Sequence, residues 1–255
     1  MIRARSTWRG SLCRKGTGDR HAETAGTPVT EIGDRHRYQI SGWRESMSKL
    51  LYLQASPRIE RSHSIAVADA FVSAYRKAHS TDQIVSKNLF QTDLPTLDGL
   101  ALQAKYNILH DLKHTNEELA AWRAVEEVID EFTSADKYVM AIPMWNFNIP
   151  YRLKHYFDLI VQPTYTFSYP PEEVYQGLVT AKPVFIAYAR GVEYASGSPR
   201  EAFDLQTRYV ETILGFIGFT DIRKVIVEPT LADQGLVKQR REAAITKAEG
   251  MAKAF

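Results

Sequence analysis

Three short segments of this chain carry side chains suited to chemistry. The first is "SPRIERSHS", Ser56 to Ser64, which sets hydroxyls at Ser56, Ser62 and Ser64 just ahead of a helical pattern. A helix N-terminus offers unpaired N–H groups and the positive end of the helix dipole, a combination suited to a phosphate dianion. The segment has neither a glycine-rich dinucleotide fingerprint nor a P-loop lysine. Serine is also a favoured helix cap, so these hydroxyls alone are compatible with either role.

The second segment is "IPMWNFNIP", residues 142–150, directly after an apolar run. It is too irregular for the inside of a helix or strand and too apolar for an ordinary solvated loop. Such a loop can cover a flat conjugated ring, with backbone groups meeting the ring's polar edge and side chains excluding water. Asn146 supplies both a donor and an acceptor. A packed turn whose Trp145 and Phe147 fill a core or a subunit interface fits equally well. The third segment is "ARGVEY", Ala189 to Tyr194. Gly191 permits close backbone approach or a positive φ, and Arg190 is either a cation beside a developing anion or a surface ion-pair partner.

Other candidates carry less. His110 and His114 have metal-ligand spacing if helical, but no third ligand is evident nearby, so no metal site is expected. No G-x-S-x-G elbow occurs, which counts against an α/β-hydrolase. His155, on a predicted helix, reads as packed or exposed rather than catalytic.

The elements that must position these segments follow from periodicity. Strands are expected at 50–54, 83–89, 138–143, 183–189 and 222–228. Helices are expected at 64–79, 116–132, 150–160, 201–216 and 236–254, with Pro150 opening its helix where a missing N–H costs nothing. "YVMAIP" is apolar throughout, as a strand buried on both faces should be. Alternating strands and helices imply an α/β fold, a doubly wound parallel sheet of five strands in the flavodoxin-like order 2-1-3-4-5, with helices on both faces. Ligands bind such sheets beyond the carboxyl ends of the strands, where all three segments emerge.

Residues 1–46 differ from the rest. They hold nine Lys/Arg and five acids, a net +4, which leaves about −2 for the remainder of a chain whose formal total is +2. A near-neutral body argues against nucleic-acid binding. The opening is rich in Arg, Gly, Thr and Ser without core-building periodicity. It lacks a secretory h-region, and its acid-free start has some likeness to an organelle transit peptide, which its glycines weaken. The expectation is a disordered extension at 1–46, or a start assigned upstream of Met47, with one domain at 47–255. No apolar run is long enough for a membrane span. The single cysteine, Cys13, excludes an intramolecular disulfide framework and fits a reducing cytoplasm.

From Met47 onward the chain resembles the FMN-dependent NADH-azoreductases, members of the flavodoxin-like NAD(P)H:quinone oxidoreductases. The resemblance rests on "MSKLLYLQASPRIERSHS", "PMWNFNIPYRLKHYFDLI", "GLVTAKPVFIAYARG" and "LGFIGFTDI". It implies that Ser56, Ser62 and Ser64, with His63 between the last two, hold the FMN phosphate. It implies that Met144, Trp145, Asn146 and Phe147 wrap the isoalloxazine. The family's third loop is typically S-R-G-G; here Arg190 and Gly191 match, while Ala189 and Val192 depart from it. Tightly bound, non-covalent FMN would take hydride at N5 from NADH or NADPH and pass two electrons to quinones or azo compounds in ping-pong fashion. No side chain need act as a covalent nucleophile. Family members are homodimers with the site at the subunit boundary. Two further readings are an electron-carrier flavodoxin, disfavoured by the near-neutral body, and a non-catalytic flavin-binding regulator.

Overall fold

The structure, a computed structural model, describes residues 47–169 and 175–255; the expectations for residues 1–46 lie outside the described residues. Five parallel strands form the sheet: β1 (Lys49–Gln54), β2 (Gln83–Asn88), β3 (Lys137–Pro143), β6 (Val184–Ala189) and β7 (Ile222–Val227), in the order β2-β1-β3-β6-β7. Two-residue strands β4 (Phe167–Ser168) and β5 (Gln176–Gly177) pair antiparallel apart from it. The extra pair changes the numbering, not the expected flavodoxin-like path.

Among the described residues there are six α-helices: α1 (His63–Ala78), α2 (Gly99–Leu109), α3 (Asn116–Thr133), on which α2 packs, α4 (Tyr151–Ile160), α5 (Leu205–Ile217) and α6 (Gln234–Ala252). Successive strand residues point to opposite faces, so each central strand feeds two cores. Leu51, Leu53, Tyr138, Met140, Ile142, Ile186 and Tyr188 join one core with α3, α4 and α5. Leu50, Tyr52, Val139, Ala141, Phe185 and Ala187 join the other with α1 and α6. In that second core Phe71 of α1 stacks on Phe185 of β6 at a centroid distance of 4.0 Å. Ala244, Ala248 and Ala252 of α6 are buried; their four-residue spacing gives a small-residue stripe facing α1.

Two elements differ from expectation for physical reasons. Helix α2 buries Ala101, Ala104 and Asn107 and leaves Leu100, Leu102, Tyr106 and Leu109 exposed. Of its large apolar side chains only Ile108 packs against the core, so the usual stripe of an amphipathic helix is reduced to small residues and one isoleucine. The expected helix from Glu201 instead begins as a 3-10 turn, Glu201–Phe203. Asp204 then leaves helical geometry and caps α5 by accepting from the Thr207 N–H at 3.0 Å. His110 lies just past α2 and is followed by Asp111 at φ 55°, so His110 and His114 do not share a helix face. Among the described residues no cluster of three or more His, Cys, Asp or Glu could hold a metal ion. No helix among them is long and apolar enough to cross a membrane.

Candidate functional site

The three segments converge at the carboxyl edge of β1, β3 and β6. Beyond β1 the ladder continues one step, Ala55 N–H donating to the Ala141 carbonyl at 2.9 Å. Ser56, Ser62 and Ser64 are all buried. Ser62 is the cap of α1, its Oγ accepting from the Ile65 N–H at 3.3 Å. Ser64 lies inside the first turn, its hydroxyl 3.1 Å from that of Ser62, and Ser56 accepts a long contact from the Arg58 N–H at 3.4 Å. Capping therefore accounts for Ser62 and leaves Ser56 and Ser64 without that explanation. The first helical bond of α1 comes from the Ala66 N–H to the Ser62 carbonyl, so the N–H groups of His63 and Ser64 have no intrahelical acceptor. Three buried hydroxyls around free first-turn N–H groups fit a phosphate.

His63 is half-buried, and its Nδ1 has no hydrogen-bond partner. Burial, then the charges of Arg241 and Arg58, depress its pKa below the ordinary 6.5; the ring is neutral at neutral pH.

At the end of β3 the chain makes a tight reversal. Trp145 and Asn148 exchange backbone hydrogen bonds of 2.8 and 2.9 Å, and Asn146 and Phe147 between them have φ of 47° and 68°. Positive φ at both central positions is the signature of a type I′ turn, which favours Asn first and Gly second. Phe147 occupies the glycine position, a strained choice for a bulky side chain. Phe147 is 47% exposed and lies against Phe203 at 5.3 Å between centroids. Trp145 leans on Phe90 and Tyr151 at 5.7 and 6.3 Å. Phe90 is held there because Arg152 of α4 donates to the carbonyls of Leu89 and Thr92. His155, one turn along, donates to the Pro95 carbonyl at 2.9 Å, a packing role as expected.

The third loop is clipped at both sides. Met144 N–H donates to the Ala189 carbonyl at 2.8 Å, joining it to the aromatic turn. Thr230 and Leu231 N–H groups donate to the carbonyls of Arg190 and Gly191 at 2.9 Å. A Cβ on Gly191 would lie 2.8 Å from the tip of the exposed Leu231 side chain, which can move aside, so neither a tight contact nor a positive φ requires glycine here. Arg190 is an ion-pair partner, but a buried one, because three groups inside the protein claim its guanidinium. It donates to Asp204 at 2.8 Å, to Gln206 Oε1 at 3.0 Å and to Glu228 at 3.4 Å. Gln206 also donates to the Ile142 carbonyl at 3.1 Å, which ties Arg190 to the strand that carries the aromatic turn. Burial raises the Asp204 carboxyl pKa, but Thr207 and then Arg190 outweigh it and hold the group below its ordinary 3.8. Among the described residues the N–H groups of Asn146, Phe147, Gly191 and Val192 donate to no protein acceptor. They leave the site a set of backbone donors that survives the loss of the serine and second glycine at 189 and 192.

Gln206, Asp204 and Glu228 carry no motif and lie far from Arg190 in sequence, as do Phe90 and Phe203 from the aromatic turn. Only the folded structure brings them in.

Fold and site together define a flavodoxin-like protein: the profile of that fold family matches residues 48–251. The chain is 50% identical over 210 residues to an FMN-dependent NADH:quinone oxidoreductase of Nitratidesulfovibrio vulgaris, covering 82% of this chain and 100% of that protein. A protein of the same description from Desulfotalea psychrophila is 44% identical over 80% of this chain and 95% of its own. Among solved structures, the Bacillus anthracis azoreductase is 28% identical with a TM-score of 0.76, over 82% of this chain and all of that one. A B. anthracis FMN-dependent NADH-azoreductase determined in complex with FMN gives 27% and 0.73, over 82% and 99%. This chain belongs to the family of FMN-dependent NADH:quinone oxidoreductases.

Proposed function

We propose that the chain is an FMN-dependent oxidoreductase that carries two electrons from NADH or NADPH to quinones and azo compounds. The observation that carries the reading is the buried trio Ser56, Ser62 and Ser64 around the free N–H groups of α1, facing the same sheet edge as the aromatic turn. The serines and the N–H groups of His63 and Ser64 hold the phosphate of a non-covalent flavin. Met144 to Phe147 and the backbone of Gly191 and Val192 would hold the ring. A flavin held there would supply the two-electron redox chemistry between donor and acceptor.

The protein's own part is positioning and electrostatics. The free N–H groups of the aromatic turn and third loop stabilise negative charge on the ring's polar edge, a preorganised donor set that costs no reorganisation during reaction. Trp145, Phe147, Tyr151 and Phe203 form an apolar rim that is at least 36% exposed. That rim excludes water from the reacting atoms and forms the boundary with a second subunit in a homodimer. Residues 47–255 are the functional domain, working in the cytoplasm.

The test is steady-state oxidation of NADH and of NADPH by the FMN-loaded protein, with a quinone and an azo dye as acceptors. Turnover supports the enzyme reading. FMN bound without reduction by either donor leaves only a flavin-binding regulator, and reduction without transfer to small acceptors leaves an electron carrier.

A further inference from the structure

A cavity of about 580 Å³ opens beside the serine loop, between α1 and the start of α6. Its walls include His63, Thr230, Val237, Lys238, Arg241 and Ile245. His63 belongs to both places. Its backbone sits between Ser62 and Ser64, while its ring lines the cavity and carries the unpartnered, buried Nδ1. A phosphate on the serines therefore has this cavity as its neighbour.

The lining is built for more than water. Lys238 is paired with Glu242 at 3.9 Å, so the one carboxylate of the wall is answered. Arg241 also lines the cavity, and among the described residues it forms no ion pair. Val237 and Ile245 are partly buried and lie eight residues apart on α6, on one helix face, as an apolar floor. Cations, an apolar floor and a free ring nitrogen match a ligand that combines phosphate with a flat heteroaromatic base.

We propose that this cavity is a subsite for a phosphorylated adenosine, with Arg241 on phosphate, Val237 and Ile245 against the base, and His63 Nδ1 bonded to the ligand. The inference rests on the assignment of the serines to the flavin phosphate. Two ligands carry this chemistry past that phosphate: the adenosine diphosphate half of the nicotinamide dinucleotide donor, and the adenylate half of a flavin adenine dinucleotide bound in place of FMN.

Equilibrium dialysis of labelled ADP against the full-length protein, flavin-free and FMN-loaded, is the test. Saturable binding is expected, weakened on the order of tenfold by Arg241→Glu and by Ile245→Trp, because a charged hydrogen bond or the base's floor is lost. No ADP binding, or binding that both variants keep, overturns the subsite. FMN content, read from the visible flavin band, is scored separately and decides the serine assignment instead. Two arms then name the source. If the donor uses the subsite, ADP competes with NADH and Arg241→Glu raises KM for NADH. If a flavin uses it, flavin-free protein prefers FAD to FMN and Arg241→Glu abolishes the preference.

Discussion

The Nε of Arg190 donates to Oε1 of Gln206 at 3.0 Å in the protein interior, and the same glutamine donates from Nε2 to the Ile142 carbonyl. One side chain thus locks the strand ahead of the aromatic turn to the loop that faces it across the site. Gln206 is fully buried, so Gln206→Leu leaves a buried carbonyl and a guanidinium N–H unanswered. The expected loss of stability is about 2 kcal/mol, with weaker FMN retention. Chemical denaturation together with fluorescence titration of FMN measures both. An intact FMN affinity in a destabilised variant would separate the lock from the site.

Arg190→Ala is expected to cost more, about 3 kcal/mol, because Asp204 and Glu228 lose their shared cation in a largely buried place. Arg190→Lys restores charge but not the fork that reaches three partners, and falls between the two. A urea melt of the three proteins ranks them.

The Arg190–Asp204 pair also sets a pH dependence. The folded carboxyl titrates below its ordinary 3.8, so its contribution is fully present above that value and is lost as pH falls through the folded pKa. Asp204→Asn removes the dependence. The stability gap between wild type and Asp204→Asn should stay level from about pH 7 to about pH 5, then close as acid is added. A gap that stays constant to the acid limit would refute the pairing as its source.

The serines separate by role. Ser62→Ala removes a helix cap and should cost about 1 kcal/mol of stability as well as FMN affinity. Ser64→Ala removes no cap. It should leave stability within about 0.5 kcal/mol of wild type while weakening FMN on the order of tenfold, the effect of one charge-assisted hydrogen bond to phosphate. Thermal melts of flavin-free protein beside FMN titrations distinguish the two patterns.

Phe147 offers an unusual combination. Replacing it with glycine deletes a large aromatic, a change that in a core costs about 3–5 kcal/mol. Here φ is 68° and the ring is half exposed, so relief of backbone strain offsets the lost contact with Phe203. Phe147→Gly should change stability by no more than about 1 kcal/mol yet loosen the flavin. A core-sized loss would show that the ring is structural.

The strands were legible because β1, β3 and β6 are short apolar runs between turn residues, and nothing else in the chain resembles them. The serine loop and the aromatic turn were legible as motifs, and their convergence followed from topology. Helix α2 was not, because Leu102 and Tyr106 face outward while its buried positions are Ala101, Ala104 and Asn107. The direction of Arg190 was open, since its partners Asp204, Gln206 and Glu228 are brought to it only by α5 and by the end of β7. The I′ turn at Asn146 and Phe147 was hidden because phenylalanine is a poor indicator of positive φ.

The bonds from Met144 to Ala189 and from Gln206 to Ile142 have a consequence for selectivity. Both bonds tie β3 and its turn to the β6 side of the site, so on the proposed function the space for a flat guest would be set by the protein rather than by the guest. A slot of fixed gauge admits molecules by thickness and ignores much of their outline. On the proposed function, flat acceptors as different as a quinone and an azo dye should pass the same test, and turnover should fall for puckered or bulky ones.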